Sequence, residues 1–384
     1  MTAETILTRA RIVLPDEVIE GSVVVRGGRI VAIDPGGTAV PCALDLEGNL
    51  LLPGLVELHT DNFERHLLPR PRVGWPPLAA LVQHDAEVAA AGITTVYDAL
   101  CIGESDFCGL RGLGVVEVRD ALEHAVNAGV LRAEHKIHVR CELPAPNAPG
   151  LFRPFMDHRL LGLISLMDHT PGQRQWSNIE NARGHYTARN GWSDETFEVQ
   201  LARAPNLQRR HALEHRRFFV EYAIERGIPL ASHDDALASH VAEAHRDGVG
   251  IAEFPTTLEA ARHARALGLH VVMGAPNVVR GGSHSGNVSA ISLARQRLLD
   301  VLSSDYVPAS LLMAAFQLAR DAGYSMPEAV ATVSRTPARA LGLDDRGEIA
   351  LGKRADLVQV QLAANGDGAH PIVRAVWRRG ERVS

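Results

Sequence analysis

Between residues 52 and 305, short apolar runs alternate with longer helical patterns, and this alternation narrows the fold more than any other feature. Eight runs have strand length: Leu52–His59, Ile93–Leu100, Lys136–Leu143, Leu161–His169, Ile228–His233, Gly250–Phe254, His270–Gly274 and Leu299–Asp305. Ala-rich helical patterns lie between several of them, as at Leu78–Ala91 and Leu258–Leu267. Strands alternating with helices read as βαβ units and a parallel sheet. Eight of them imply an α/β fold of the (β/α)₈ TIM-like barrel type. The ends differ. Ile6–Leu14, Gly21–Arg26 and Arg29–Ile33, around Gly27-Gly28, have hairpin spacing, and Gly347–Leu351, Ala355–Gln361 and Ile372–Arg378 look alike. The expected organisation is a hydrolase barrel over 53–345, with a small β-sandwich domain built from 1–52 and 346–384. Segment 171–215, rich in Arg, Asn, Gln and His, is too long for an ordinary connection and reads as helical or as a functional insertion.

Composition excludes several classes. The chain has 384 residues, of which 46% are hydrophobic, enough for one large domain and a small one. A net charge of −6 gives no basic footprint for nucleic acid, so binding of an anion must be local. Cys42, Cys101, Cys108 and Cys141 form no CxxC pair and read as reduced thiols of a cytoplasmic protein. No signal peptide and no apolar run of membrane-span length is seen.

In such a barrel, catalytic groups sit at the C-terminal ends of the strands. The first run ends in His59-Thr60-Asp61-Asn62, and residues two apart in an extended chain share a face. An imidazole and a carboxylate are thus offered side by side, a mixed N and O set suited to a divalent metal. The other ends bring Asp98, Glu142, Asp168-His169, His233-Asp234-Asp235 and Asp305. Taken singly, Asp98 reads as a core group, and Asp234 and Asp235 read as caps of the following helix. Taken together, so many titratable groups are costly to bury unless they pair or bind metal. The helical histidines His211, His215, His240 and His263 read as surface or core groups. The loop Arg280-Gly281-Gly282-Ser283-His284-Ser285-Gly286-Asn287 has the composition of a flexible surface loop. It also suits phosphate, because glycines let backbone N–H groups approach an anion and Arg gives bidentate contacts.

The strings His59-Thr60-Asp61-Asn62, Met167 to Gln173, Ala231 to Asp235 and Gly274 to Asn287 resemble the amidohydrolase superfamily. Within it, the whole chain resembles the α-D-ribose 1-methylphosphonate 5-triphosphate diphosphatases of the carbon–phosphorus lyase pathway. The resemblance implies a centre of one or two divalent ions (zinc, manganese or iron) held by His59, Asp61, Glu142, His169, His233 and Asp305. Asp61 stands where the superfamily usually has a second histidine. Glu142 would be the bridging carboxylate, and Asp305 both ligand and proton shuttle. The superfamily's further histidines come from strands five and six, whereas His169 and His233 end the fourth and fifth runs counted here. The implied reaction releases pyrophosphate from a phosphorylated sugar, with Arg280 as the best phosphate contact. Asn62, Gln173, Arg174, Asn277, Ser283 and His284 are further candidate substrate contacts. A functional link to other proteins of that pathway follows from the resemblance, which leaves room for a homo-oligomer. Bound metal and the barrel leave two alternatives open: a cyclic-amide or N-acyl amidohydrolase, and a non-catalytic scaffold.

Overall fold

The structure, a computed structural model, describes residues 4–70, 73–103, 114–283, 286–365 and 368–384. Eight parallel strands follow one another in chain order: Leu55–Thr60, Ile93–Ile102, Glu134–Glu142, Leu161–Met167, Leu230–His233, Ile251–Glu253, His270–Gly274 and Val301–Ser303. They are called barrel strands one to eight below, and all eight expected runs are among them. Their inward residues, among them Val56, Leu58, Leu163, Ala231, Ile251, Val272 and Val301, pack into one buried cluster that fills the barrel. Alternate residues such as Leu55 and Val96 face outward into a second cluster shared with the helices. Helices Pro77–Ala90 and Leu258–Ala266 present Ala80, Ala260, Ala261 and Ala264 to that cluster. A methyl side chain lets a helix lie close to the sheet.

Strands one and eight meet near their C-terminal ends, where the Asp61 N–H donates to the Asp305 carbonyl at 2.8 Å. Below that point a side chain spans the seam. The buried Glu57 carboxylate accepts from the His59 N–H at 2.7 Å, the Ser303 hydroxyl at 2.9 Å and the Ser304 N–H at 2.5 Å. Burial pushes Glu57 up to about 7. The pairing of strands one and two shifts register between Glu57 and Thr60, which re-aims the residues entering the catalytic end.

The terminal strands form one hydrogen-bonded sheet. Its order is Glu381–Arg382, Gly368–Arg378, Leu357–Asn365, Leu50–Pro53, Glu4–Val13, Val18–Arg26 and Arg29–Pro35, with Leu44–Asp45 pairing Glu4–Val13. Leu50–Pro53 joins the two ends of the chain, parallel to Glu4–Val13 and antiparallel to Leu357–Asn365. The small β-domain expected from both termini is present as a sheet domain whose strands come from the two ends of the chain. It has two apolar faces. Leu50, Leu52, Val358 and Val360 pack on the barrel side, while Leu51, Leu357 and Trp377 close a separate small core with Leu7, Ile12 and Ile30. Gly27 and Gly28, at φ +59° and +74°, form the two-residue turn between Val18–Arg26 and Arg29–Pro35. Gly347–Leu351, expected to be extended, is turn; Ile349 alone anchors it in the small core. Segment 171–215 is largely helical, in Ile179–Asn190 and the 33-residue Asp194–Arg226.

Asp98 belongs to a buried network between barrel strands two and three and helix Pro77–Ala90. His135 sets Nδ1 2.7 Å from Asp98 and Nε2 3.2 Å from Asp85, and His84 Nε2 lies 2.8 Å from Asp98. An imidazole with a carboxylate at each nitrogen is held as an imidazolium. Burial opposes the charge, but Asp98 and Asp85 outweigh it and push His135 up to about 9. Among the described residues no helix is long and apolar enough to cross a membrane.

Two predictions follow from these buried groups. Glu57→Ala leaves the His59 and Ser304 N–H groups without their acceptor, at about 1–3 kcal/mol each, read as a lower urea midpoint at unchanged slope. His135 has a folded pKa above its unfolded one, so its contribution is fully present below about pH 6.5 and is lost as pH rises through about 9. The stability difference between the wild type and His135→Gln should therefore shrink from pH 6.5 to pH 9.5 in parallel denaturant titrations. A constant difference would show that the ring is not held charged.

Candidate active site

The C-terminal ends of the barrel strands open into a cleft of about 290 Å³, lined among others by His59, Asp61, Arg140, His169, His233, Asp234, Arg280 and Asp305. Its histidines are oriented by carboxylates on their far side. Glu253, buried on barrel strand six, takes His59 Nδ1 at 3.1 Å on one oxygen and His233 Nδ1 at 3.2 Å on the other. Glu142 takes His169 Nδ1 at 2.6 Å, and its other oxygen accepts the His169 N–H at 3.0 Å. With Nδ1 occupied in this way, the free lone pair of each neutral ring lies on Nε2, the geometry of a metal-binding histidine braced by a carboxylate. The rings of His59 and His233 stack with centroids 5.7 Å apart.

Two groups of ligand atoms result, each lying within 4.8 Å of one another: His59, Asp61 and Asp305, and His169, His233 and Asp234. Burial lowers His59 to about 3 and His233 well below the ordinary imidazole value, so both rings are neutral and able to coordinate. Burial pushes Asp234 up to about 6, and burial together with Asp61 holds Asp305 above the usual carboxylate range. For Asp61, burial also favours the neutral form, but the Arg140 guanidinium prevails and keeps it below that range. Asp234 Oδ2 is buried and takes no hydrogen bond. Neutral imidazoles, crowded carboxyls and an unsatisfied carboxylate oxygen all fit divalent cations. A third group, His59, His138 and Glu253, contains the bracing carboxylate itself. His138 is turned away, Nδ1 to the Leu58 carbonyl at 3.0 Å and Nε2 to the Ser165 hydroxyl at 2.8 Å. The fourth, His84, Asp98 and His135, is the buried network, whose donor atoms already face one another.

The backbone is left-handed at Asp234, Phe254 and Asp305, at φ +55°, +53° and +54°, just after barrel strands five, six and eight. Non-glycine residues there cost about 1–3 kcal/mol each, and such strain gathers at functional sites. At Asp234 and Asp305 it belongs to residues that deliver carboxylates to the cleft.

Several sequence expectations are redirected. Glu142, expected as a bridging ligand, places one oxygen on the His169 ring and the other on its amide. Asn62 is buried away from the cleft, donating to Glu87 at 3.1 Å and facing His84 Nδ1 at 3.1 Å, because the short helix Asn62–Leu67 turns it toward helix Pro77–Ala90. Arg174 is buried in an ion pair with Asp235 and also donates to the His233 carbonyl at 3.2 Å. Neither it nor Gln173 lines the cleft, but their neighbours Gln175 and Trp176 do. Asp234 and Asp235 do not cap the next helix, Ala238–Arg246, whose N-cap residue is Leu237. Asn277, Arg280 and Ser283 line the cleft; the Asn277 side chain also ties down the Val288 carbonyl at 3.2 Å and the Ala290 N–H at 2.9 Å. His284 and Cys108 lie outside the described residues. His169 and His233 do follow strands four and five, and strand six supplies Glu253 where a histidine is usual. Glu253, Asp234 and Arg140 were missed. Alternation along Ile251–Glu253 and the pair His233-Asp234 carried weak signals for the first two. Helix Ile179–Asn190 adds His185 and Tyr186 to the cleft wall, from the insertion-like segment.

The amidohydrolase family matches residues 256–384. The α-D-ribose 1-methylphosphonate 5-triphosphate diphosphatase of Escherichia coli (strain K12) is 47% identical over 380 residues, covering 98% of this chain and all of that one. Among solved structures, N-acetylglucosamine-6-phosphate deacetylase from Pasteurella multocida superposes with a TM-score of 0.63 at 13% identity, covering 99% of each chain. Dihydropyrimidinase from Brevibacillus agri does so at 0.63 and 12%, covering 99% of this chain and 95% of that one. At such identities these two show the fold alone. Near-full-length identity of 47% shows more: the chain belongs to the α-D-ribose 1-methylphosphonate 5-triphosphate diphosphatase family of amidohydrolases.

Proposed function

We propose that this enzyme hydrolyses the α–β phosphoanhydride of α-D-ribose 1-methylphosphonate 5-triphosphate, releasing pyrophosphate, in phosphonate catabolism. The observation that carries this reading is the joining of two imidazole–carboxylate groups with Arg280 and Ser283 in one cleft, in a chain 47% identical to a diphosphatase acting on that compound. Two divalent ions are proposed, one on His59, Asp61 and Asp305 and the other on His169, His233 and Asp234. Zinc, manganese and iron all suit these ligands. Such metals lower the pKa of a bound water and offset charge on phosphoryl oxygens.

The chain's own residues do the rest. Water adds to the α phosphorus in line, and the bond from that phosphorus to the α–β bridging oxygen breaks. The bridging oxygen departs with the β and γ phosphoryl groups as pyrophosphate. Asp305 takes the proton of the attacking water and returns it to the leaving oxygen. Glu253 and Glu142 hold the imidazoles in the tautomer that turns Nε2 inward. Arg280 and the Gly282-Ser283 backbone lie at the cleft wall, where the phosphate chain extends. We further propose that 53–345 form the catalytic unit and 1–52 with 346–384 the accessory one, and that the enzyme works in the cytoplasm.

A substrate panel assayed for pyrophosphate, ammonia and released carboxylate tests the function: pyrophosphate from the ribosyl triphosphate is expected, and release of ammonia or carboxylate from a cyclic amide in its place would replace this reading. Asp305→Asn keeps an oxygen ligand but removes the base, and should lower kcat by about 10²-fold or more at unchanged metal content. Glu253→Gln keeps an acceptor oxygen for one imidazole but turns an N–H2 group, which cannot accept, to the other, and should weaken metal binding by about 10–100-fold, measured by competition with a chelator.

A further inference from the structure

Arg140 lies on barrel strand three and points into the cleft between the two ligand groups. Its Nη1 donates to Asp61 Oδ1 at 2.8 Å, and its Nη2 is 3.5 Å from His233 Nε2. It thus touches one member of each group. Its side chain is 13% exposed, and what it exposes faces the cleft.

A triphosphate carries more negative charge than the proposed centre offsets, so a fixed cation at the reacting phosphorus would add to it, as Arg280 would along the tail. A side chain placed between the two groups is where the phosphoryl group under attack must sit if both groups act on it. Guanidinium offers two parallel donors to two non-bridging oxygens, needs no proton exchange and keeps its charge throughout. Asp61 holds one edge of the fork and so fixes its plane. The long contact to His233, at 3.5 Å, is weak enough to give way to a phosphoryl oxygen.

We infer that Arg140 is a catalytic residue that grips the α-phosphoryl group, while Arg280 serves the β and γ groups. This rests on the proposed diphosphatase reaction. The bond made and the bond broken are those of that reaction; Arg140 transfers no proton and stabilises the charge gathering on the non-bridging oxygens of the α phosphorus.

Because cleavage leaves the α-phosphate on the sugar, the two products report on the two arginines separately. Isothermal titration of the intact enzyme with ribose 5-phosphate, which carries the sugar product's 5-phosphate, and with inorganic pyrophosphate, in metal-loaded and chelator-treated forms, is the test. Arg140→Lys should weaken ribose 5-phosphate by about tenfold and pyrophosphate by less than about threefold, because lysine lacks the fork. Arg280→Ala should do the reverse. Arg140→Lys and Arg140→Gln should each lower kcat by about 10²-fold, the scale of a lost oxyanion donor, with metal content unchanged. Added guanidinium should restore part of the Arg140→Gln loss, which separates the role from a folding defect. Turnover of Arg140→Lys near wild type, or unchanged affinity for ribose 5-phosphate, would overturn the assignment. So would Arg140→Gln binding an extra equivalent of metal by elemental analysis while keeping its turnover, since Arg140 would then merely fill a metal position. If the wild type releases no pyrophosphate from the ribosyl triphosphate, the reaction fails instead, and that result does not depend on any arginine variant.

Discussion

A buried carboxylate, that of Glu253, accepts a hydrogen bond from each of two imidazoles, and the centre is organised around it. His59 comes from barrel strand one and His233 from strand five, on opposite sides of the barrel; Glu253 on strand six fixes the tautomer and tilt of both. A charged group in that position is tolerable only because both of its oxygens are engaged. Glu142 repeats the device once, for His169. The two candidate ligand groups are therefore set by hydrogen bonds behind the rings, which turn the Nε2 atoms toward the cleft. Such preorganisation is what makes a metal centre tight and selective.

The centre is kept open by charge as much as by shape. Asp61, Asp234 and Asp305 converge on one cleft, and burial drives two of them toward the neutral form. Arg140 is the internal counter-charge that keeps Asp61 ionised. Left-handed backbone at Asp234, Phe254 and Asp305 adds a conformational cost at the same rim. That cost is borne by the barrel beneath, whose interior of Val, Leu and Ile side chains is fully buried. Glu57 adds rigidity where it is most needed, because it crosses the seam between strands one and eight directly below His59 and Asp305.

Much of the frame was legible in the chain because it depends on local periodicity. Apolar runs of strand length and Ala-rich helical faces report the barrel with little reference to distant partners. Gly27-Gly28 reports its hairpin for a similar reason, since positive φ at two successive residues is a backbone requirement. His59, Asp61, His169, His233 and Asp305 were legible as polar ends of apolar strands. Glu253 was not, because a carboxylate closing a three-residue strand looks like any surface acid until its two imidazole partners arrive from strands one and five. Asn62 illustrates the opposite failure: adjacent to two cleft residues in the chain, it turns with a short helix into another network.

The sequence by itself determined which elements form, in what order, and which strand ends carry nitrogen and oxygen donors, because strand and helix periods are properties of neighbouring residues. The tertiary structure alone decided which donors face the cleft and which stand behind them. Glu142 and Glu253 became braces, Asp234 became a cleft carboxylate, Arg174 became a buried partner of Asp235, and Arg140 came to lie between the two ligand groups. These roles depend on contacts between residues as much as 194 positions apart, as for His59 and Glu253, and on the drawing of eight strands into a nearly closed ring. Neither leaves a periodic trace along the chain.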